Sequence, residues 1–146
     1  MATTTVTNDF RRALLEGGHN FKVAGLAYKM LLIKVGPSGV YDQTQANVGT
    51  DEVSGTGYTA GGFTLTNVAP AVSSNVATTS FSVNPSWVTA TFSATSAEVY
   101  TNDATLGTAG RTVGNYDFGG TQTVTAGTFT VVVPTNSSTL AIIRIA

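Results

Sequence analysis

The chain of 146 residues has the length of one domain, and its composition excludes several classes of protein. Charged residues make up 10% of it, against about 25% in an average soluble domain. The formal net charge of −1 lacks the basic excess of nucleic-acid-binding domains, so we expect no nucleic-acid partner. The absence of cysteine excludes disulfides and thiolate zinc sites. A hydrophobic content of 42% is sufficient for a core and argues against a disordered chain.

The few charges are unevenly distributed along the sequence. No Asp, Glu, Lys, Arg or His occurs from Val53 to Ala97, or from Phe118 to Ile143. Thr, Ser, Asn and Gln occupy the polar positions there, whereas soluble domains usually intersperse charges over the whole surface. We therefore expect these neutral segments to form sheet faces or edges that are buried against partner subunits.

The sequence shows no targeting or membrane segment. The N-terminal residues have neither the basic start nor the apolar stretch of a secretory signal. The longest apolar runs, such as Met30–Ile33 and Val131–Pro134, are far short of the ~20 residues that cross a bilayer. We expect synthesis in the cytoplasm and no membrane partner.

The first predicted element is a short helix that begins at Thr7 or Asn8, where either side chain can cap it. Gly17-Gly18 ends it with residues that readily adopt a left-handed conformation. The residues on one face at the i, i+3, i+4 spacing are Phe10, Ala13 and Leu14. Because the helix is short, it must be stabilised by docking on the rest of the chain.

After the helix, apolar and polar residues alternate in segments rich in Thr, Val and Ile, which predicts β-strands. The predicted strands are 21–33 (as one or two strands), 63–68, 72–83 with a break near 73–75, 87–92, 97–100, 113–118, 128–133 and 140–145. A turn is predicted at 36–39 and a surface loop at 41–50. About eight short strands are typical of an all-β antiparallel sandwich. We predict a single domain over residues 1–146, with an N-terminal arm and helix in residues 1–20 and the sandwich in residues 21–146.

Few residues are candidates for chemistry. His19 is the one histidine, and without a neighbouring acid or second histidine, local packing is favoured over a role as base or metal ligand. Asp51-Glu52 lacks the Asp-x-Asp-x-Asp-Gly pattern of a calcium loop. Asp117 is expected to bind backbone N–H groups of the glycine turn that follows it, or to pair with Arg111 or Arg144.

The glycine-rich segment 55–62 lacks the Lys-Ser/Thr of a phosphate-binding loop. Its glycines are instead expected to provide positive φ angles and close packing under Tyr58. Aromatic residues can stack sugars, but alternation assigns most of them to the core and leaves Tyr58 as the best exposed candidate. The aromatic residues considered for such a site are Tyr58, Phe63, Trp87 and Tyr100. We predict no catalytic residue, no metal site, no cofactor and no enzymatic activity.

Several segments together resemble small virion proteins of tailed bacteriophages. Residues 52–68 join a Gly-Tyr-x-x-Gly-Gly motif to an alternating strand. The segments that follow in matching order are 87–92, 98–100, 116–120, 127–131 and 133–146. The N-terminal helix and the segment 21–23 are also similar, so the resemblance covers nearly the whole chain, and residues 35–50 are the least typical. The resemblance implies a non-enzymatic virion component and transfers no catalytic residue.

The leading functional hypothesis is a capsid decoration or cement protein, made in the host cytoplasm and located in the virion. Its expected partners are the major capsid protein or other virion proteins, and further copies of itself in a symmetric homo-oligomer such as a trimer. Uncharged strand edges favour pairing with another chain. The residues predicted at subunit contacts are Phe10, Leu14, Tyr58, Ile143 and Ile145.

Three alternatives remain open. A tail, neck or fibre-attachment component of the same virion requires the same fold and the same lack of chemistry. A carbohydrate-binding adhesin would use Tyr58, Trp87 and nearby Asn or Thr groups. A hydrolase would require His19, Asp51 and Asp117 to converge.

Overall fold

The computed structural model describes residues 5–34, 49–101 and 111–146, so the predicted turn at 36–39 and most of the predicted loop at 41–50 lie outside the described residues. The described residues form two antiparallel sheets and one short α-helix, which confirms the predicted all-β, sandwich-like class. The strands are β1 (Thr5–Val6), β2 (Tyr28–Ile33), β3 (Phe63–Thr64), β4 (Ala71–Ser73), β5 (Val76–Thr79), β6 (Ser86–Thr101), β7 (Arg111–Thr130) and β8 (Ile143–Ile145). Helix α1 (Asn8–Leu15) follows β1, and a 3₁₀ turn spans Gly49–Asp51. No helix in the described parts of the chain is long and apolar enough to cross a membrane.

Helix α1 begins where the sequence predicts. Thr7 Oγ1 accepts a hydrogen bond from the backbone N–H of Phe10 at 3.1 Å, which caps the free amide groups of the first turn. Phe10 and Ala13 are buried, so the predicted apolar face does dock on the sheet. Asp9 also forms two ion pairs. It lies 2.8 Å from Arg111 Nε, which ties the helix to β7, and 2.8 Å from Arg12 Nη2 within the helix.

The centre of the larger sheet is the long hairpin of β6 and β7, with the strand order β1-β7-β6-β2-β3. The two strands pair from Ser86 opposite Thr130 to Thr101 opposite Arg111. Strand β2 pairs only with the half of β6 from residue 96 to 101, and β1 pairs only with residues 114 and 115 of β7. The other half of the hairpin, residues 86–94 with 122–130, therefore extends beyond β1 and β2 as a two-stranded ribbon, and an isolated bridge joins Thr56 to Thr91 on its β6 side.

The hairpin joins segments that the sequence predicts as separate strands. Residues 87–92 and 97–100 both belong to β6, and residues 113–118 and 128–130 both belong to β7. The strand-pair register shifts between Ala94 and Ser96, opposite Gly119 and Gly120, which have φ angles of 75° and 154°. These glycines form a bulge inside β7 and not a turn at its end, because β6 continues alongside and keeps both strands paired.

Two other predicted strands are shorter than expected. Strand β2 begins at Tyr28, because residues 22–25 form a turn in which the Gly25 N–H donates to the carbonyl oxygen of Lys22. Strand β3 ends at Thr64, and beyond it Asn67 forms an isolated bridge to Phe81.

The smaller sheet has the order β4-β5-β8. Its β4–β5 hairpin turns at Ser74-Asn75, which confirms the break predicted near 73–75. The φ angles of 51° and 61° at these two residues correspond to the turn whose twist matches that of antiparallel strands.

One hydrophobic core connects the helix and both sheets. Its buried residues include Phe10 from α1, Met30 from β2, Val99 from β6, Phe81 after β5 and Ile143 from β8. Leu31, Ile33 and Tyr100 form a second, smaller apolar cluster on the opposite face of the larger sheet.

Candidate functional site

The outer edge of β7 is the most prominent unpaired backbone in the described chain. Beyond Asn115, which pairs with β1, no described strand pairs with β7 on the side away from β6. Residues 119–123, 125, 126, 128 and 130 are exposed, whereas Val124, Gly127 and Phe129 are half-buried. From Phe118 to its end, this edge has no charged residue and no proline. Charged residues and prolines are the usual features that prevent an edge strand from pairing with another chain.

A cleft of about 1120 Å³ adjoins this edge, between β7 and the C-terminal segment. Aromatic and aliphatic side chains, among them Tyr116, Phe118, Phe129 and Ile142, line part of it, and Asp117, Gln122 and Arg144 are among the residues that contribute polar groups. Val132 and Leu140 also line it and are 75% and 60% exposed. The unpaired edge and the cleft therefore form one continuous surface, which we call the β7 surface.

His19 lies away from the β7 surface, within a group of aromatic rings. Its ring centroid is 4.8 Å from that of Phe10 and 5.9 Å from that of Phe21, and its Nδ1 lies 3.2 Å from the Tyr28 hydroxyl. Burial lowers the pKa of His19 to about 4. The prediction that His19 packs locally is confirmed.

The glycine-rich segment 55–62 and Tyr58 have a structural role. Gly57, Gly61 and Gly62 have φ angles of 79°, 88° and 79°, which confirms the predicted need for glycine. The Tyr58 ring stacks on Trp87 with centroids 5.8 Å apart, and its hydroxyl donates to Glu52 Oε1 at 2.9 Å. Burial raises the pKa of the Tyr58 hydroxyl well above its usual range. Tyr58 is therefore half-buried and engaged inside the chain, which corrects the expectation of an exposed ring.

Asp117 serves local structure. Asp117 Oδ1 accepts a hydrogen bond from the Gly119 N–H at 3.0 Å, which confirms the first of its two predicted roles. Arg111 pairs with Asp9, and Arg144 donates to the backbone oxygens of Ser138 and Thr139. Within the described residues, no three His, Asp or Glu side chains converge in a geometry that could hold a metal ion.

Glu98 is a site residue that the sequence reasoning missed. It is 0% exposed in the middle of β6, and neither carboxyl oxygen has a hydrogen-bond partner. Burial, together with the negative charge of Glu52, raises the pKa of Glu98 to about 9. The alternation in the strand segment 97–100 puts Glu98 on the face opposite Ala97 and Val99, and this was the sequence signal that could have identified it.

The five predicted contact residues occupy different environments. Phe10 and Ile143 are 2% and 4% exposed and pack inside the chain, and Tyr58 and Leu14 are half-buried against the core. Ile145 is 49% exposed. The structure does not bring these residues together on one surface patch, and the β7 surface was indicated instead by the uncharged stretch from Phe118 to Ile143.

Comparison of the chain with protein-family models, with curated proteins and with solved structures finds no match in any of the three. The candidate function therefore depends on the chain's own geometry and on the sequence resemblance.

Proposed function

We propose that the protein is a non-enzymatic structural protein that assembles through the β7 surface, and that it does so in a bacteriophage virion. The observation that carries the assembly proposal is the edge of β7 from Phe118 to Thr130, which no described strand pairs and which has no charged residue, beside a cleft lined in part by apolar side chains. An added strand would receive main-chain hydrogen bonds from the edge and would place alternate side chains in the cleft.

A second copy of the same chain is the occupant that we propose for this surface. When two β7 edges pair antiparallel about a twofold axis, each residue meets the same stretch of the other chain. Like charges opposite each other would destabilise such a pair, and residues 118–143 contain none. The exposed side chains of Val132 and Leu140 at the cleft would become buried in the same interface, which favours association.

The placement in a virion is supported by the sequence resemblance to small tailed-phage proteins. We propose capsid decoration or cementing as the role, with the major capsid protein or other virion proteins as further partners. A tail, neck or fibre-attachment role is the alternative. The adhesin alternative has less support, because Trp87 is buried and the Tyr58 ring stacks on it.

The assembly proposal is tested by placing lysine on the edge. Thr125 and Thr128 are exposed residues of β7, and lysine at a strand edge disfavours pairing with another strand. We expect the wild-type chain to form a homo-oligomer in light scattering coupled to size exclusion, and Thr125→Lys/Thr128→Lys to be monomeric with an unchanged circular-dichroism spectrum.

The matched control is Thr59→Lys/Ala60→Lys, which adds the same charge at exposed positions away from the edge. It should assemble like the wild type. A wild-type chain that stays monomeric at high concentration, or an edge variant that still assembles, would refute the proposed contact. Imaging of a particle that contains the chain then separates the roles, because decoration requires copies over the whole shell and a tail or neck component forms a single ring.

A further inference from the structure

A group of buried polar side chains lies on the face of the larger sheet opposite the main core. Glu98 and Ser96 are both 0% exposed, and Glu98 Oε1, Glu98 Oε2 and Ser96 Oγ have no hydrogen-bond partner. They share this face with Leu31, Ile33 and Tyr100, the residues of the smaller apolar cluster. These oxygens therefore border an apolar cluster.

The strand pairing places further oxygen-bearing side chains next to them. Asn115 lies directly opposite Glu98, and Asp117 lies directly opposite Ser96. Side chains at opposed positions point to the same face with Cβ atoms about 4.5–5.5 Å apart. Ser96 and Glu98 are two residues apart on one strand and also share a face. The pairing thus groups two carboxyl groups, one amide and one hydroxyl in a small area.

Such a group requires a physical explanation, because buried polar atoms in folded proteins nearly always have a partner. Glu98 makes no ion pair with any residue that the structure describes. An ionised carboxylate is only an acceptor, so the partner that would keep Glu98 ionised is a hydrogen-bond donor or a cation. Glu52, which bridges to Ile33 at the edge of β2, adds further negative charge near this face.

We propose that Glu98, Ser96 and Asn115 bind a Ca²⁺ ion, with the Glu98 carboxylate as the charged ligand. The Ser96 hydroxyl and the Asn115 amide oxygen are the neutral ligands, and Asp117 borders the site. The available ligands are all oxygens, which favour Ca²⁺ or Mg²⁺ over Zn²⁺. Ca²⁺ is the better fit because it accepts irregular geometry and neutral oxygen ligands.

This site differs from the clusters that the sequence singled out. Asp51-Glu52 is the acidic pair that the sequence singles out, whereas the present site combines one central acid with neutral oxygens from β6 and β7. It is also independent of the proposed assembly, because its ligands lie in the half of the hairpin that β1 and β2 cover and not in the ribbon. The single acidic ligand must lose its proton when the ion binds, so the expected affinity is weak, with a Kd on the order of 10⁻⁴–10⁻³ M.

Thermal unfolding of the chelator-treated full chain tests the site. Because the ion binds only the folded state, about 10 mM Ca²⁺ should raise the Tm by roughly 3–10 °C relative to NaCl of equal ionic strength. Glu98→Gln, which keeps the size of the side chain but cannot ionise, should abolish the increase. Glu16→Gln, which removes an exposed carboxylate on the helix, should retain it.

A spectroscopic measurement distinguishes binding from a general salt effect. Tb³⁺ takes the same oxygen ligands as Ca²⁺ and emits when a nearby tyrosine transfers energy to it, and Tyr100 lies on the same face as Glu98. We expect Tyr-sensitised Tb³⁺ emission that Ca²⁺ competes away and that Glu98→Gln lacks. Ser96→Ala provides the test where Glu98→Gln does not fold. It should weaken ion binding in both measurements, with a Kd at least tenfold higher than that of the wild type. A wild type without a Ca²⁺-dependent Tm increase, or with an increase that Glu98→Gln and Ser96→Ala both share, overturns the proposal in favour of a buried water at these atoms.

Discussion

Single residues in the glycine-rich segment 55–62 are constrained by both backbone conformation and space. Gly62 has a φ angle of 79°, and a Cβ there would overlap the carbonyl oxygen of Met30. Gly119 has a similar φ angle of 75°, but a Cβ there would meet nothing within 4 Å. Comparing the two positions therefore separates the cost of a left-handed conformation from the cost of a steric overlap.

We predict that Gly62→Ala lowers the free energy of unfolding by on the order of 3 kcal/mol or more, because both costs add. Gly119→Ala should lower it by only about 1 kcal/mol, since the conformational cost acts alone. Chemical denaturation of the two variants measures both values. Equal losses would show that the contact with the β2 backbone does not constrain Gly62.

His19 gives the stability of the chain a specific dependence on pH. Its pKa is about 4 in the folded chain and about 6.5 when unfolded. Between these values the unfolded chain binds the proton more readily, so a falling pH favours unfolding. The contribution is fully present above about pH 6.5 and is lost as the pH falls to about 4. After allowing for solvent screening of a half-buried ring, we expect a loss on the order of 1–2 kcal/mol.

The variant His19→Asn isolates this effect, because it keeps a polar group near the Tyr28 hydroxyl and does not titrate. Its denaturation midpoint should fall less than that of the wild type between pH 7 and 4. The nearby charges of Asp9 and Arg111 and the remaining carboxylates are the same in both proteins, so they cancel in the comparison. Parallel pH profiles would contradict the prediction.

At the scale of whole elements, the attachment of α1 to β7 depends on a largely buried ion pair. The side chains of Asp9 and Arg111 are 7% and 11% exposed and 2.8 Å apart. We predict that Asp9→Asn lowers the free energy of unfolding by on the order of 3 kcal/mol, because Arg111 then keeps its charge without a counter-charge. The exposed pair between Arg12 and Glu16 is the internal control, and Glu16→Gln should change stability by less than about 0.5 kcal/mol. Similar losses in the two variants would indicate that apolar packing alone holds the helix.

The elements also show which local signals predict structure. The cap at Thr7 and the break at Ser74-Asn75 were predictable, because each depends on the conformation of one or two residues. The continuity of β7 through Gly119 and Gly120 was not, because these glycines form a bulge only while β6 supplies hydrogen bonds alongside. The turn at 22–25 likewise replaces a strand despite its alternating pattern.

The candidate sites, too, were only partly predictable from the sequence. The uncharged stretch from Phe118 to Ile143 is visible in the sequence, and it indicated a surface that would meet a partner. The cleft beside β7 was not predictable, because it forms between segments that are distant in the sequence. The grouping of Glu98 with Ser96 and Asn115 depends on the register between β6 and β7, which the bulges along this hairpin set.

At the scale of the whole molecule, the β6–β7 hairpin makes the two sheets and the helix dependent on one another. The same core cluster contains Phe10 of the helix, Phe81 and Ile143 near the smaller sheet, and Trp87 of the ribbon. If any one of these parts unfolded, apolar surface on the others would become exposed to water. The architecture thus predicts one cooperative unit, despite the ribbon that extends beyond β1 and β2.

We therefore expect a single unfolding transition. Trp87, which is buried among Tyr58, Phe63, Phe92 and Phe129, reports on the ribbon by its fluorescence, while far-ultraviolet circular dichroism reports on the backbone of both sheets. The two signals should share one midpoint, and the calorimetric and van't Hoff enthalpies should agree. The edge variant Thr125→Lys/Thr128→Lys is the suitable protein for this measurement, because dissociation of an oligomer would otherwise make the midpoint depend on concentration. A fluorescence midpoint clearly below that of circular dichroism would mean that the ribbon unfolds first and that the core cluster does not couple it to the sheets.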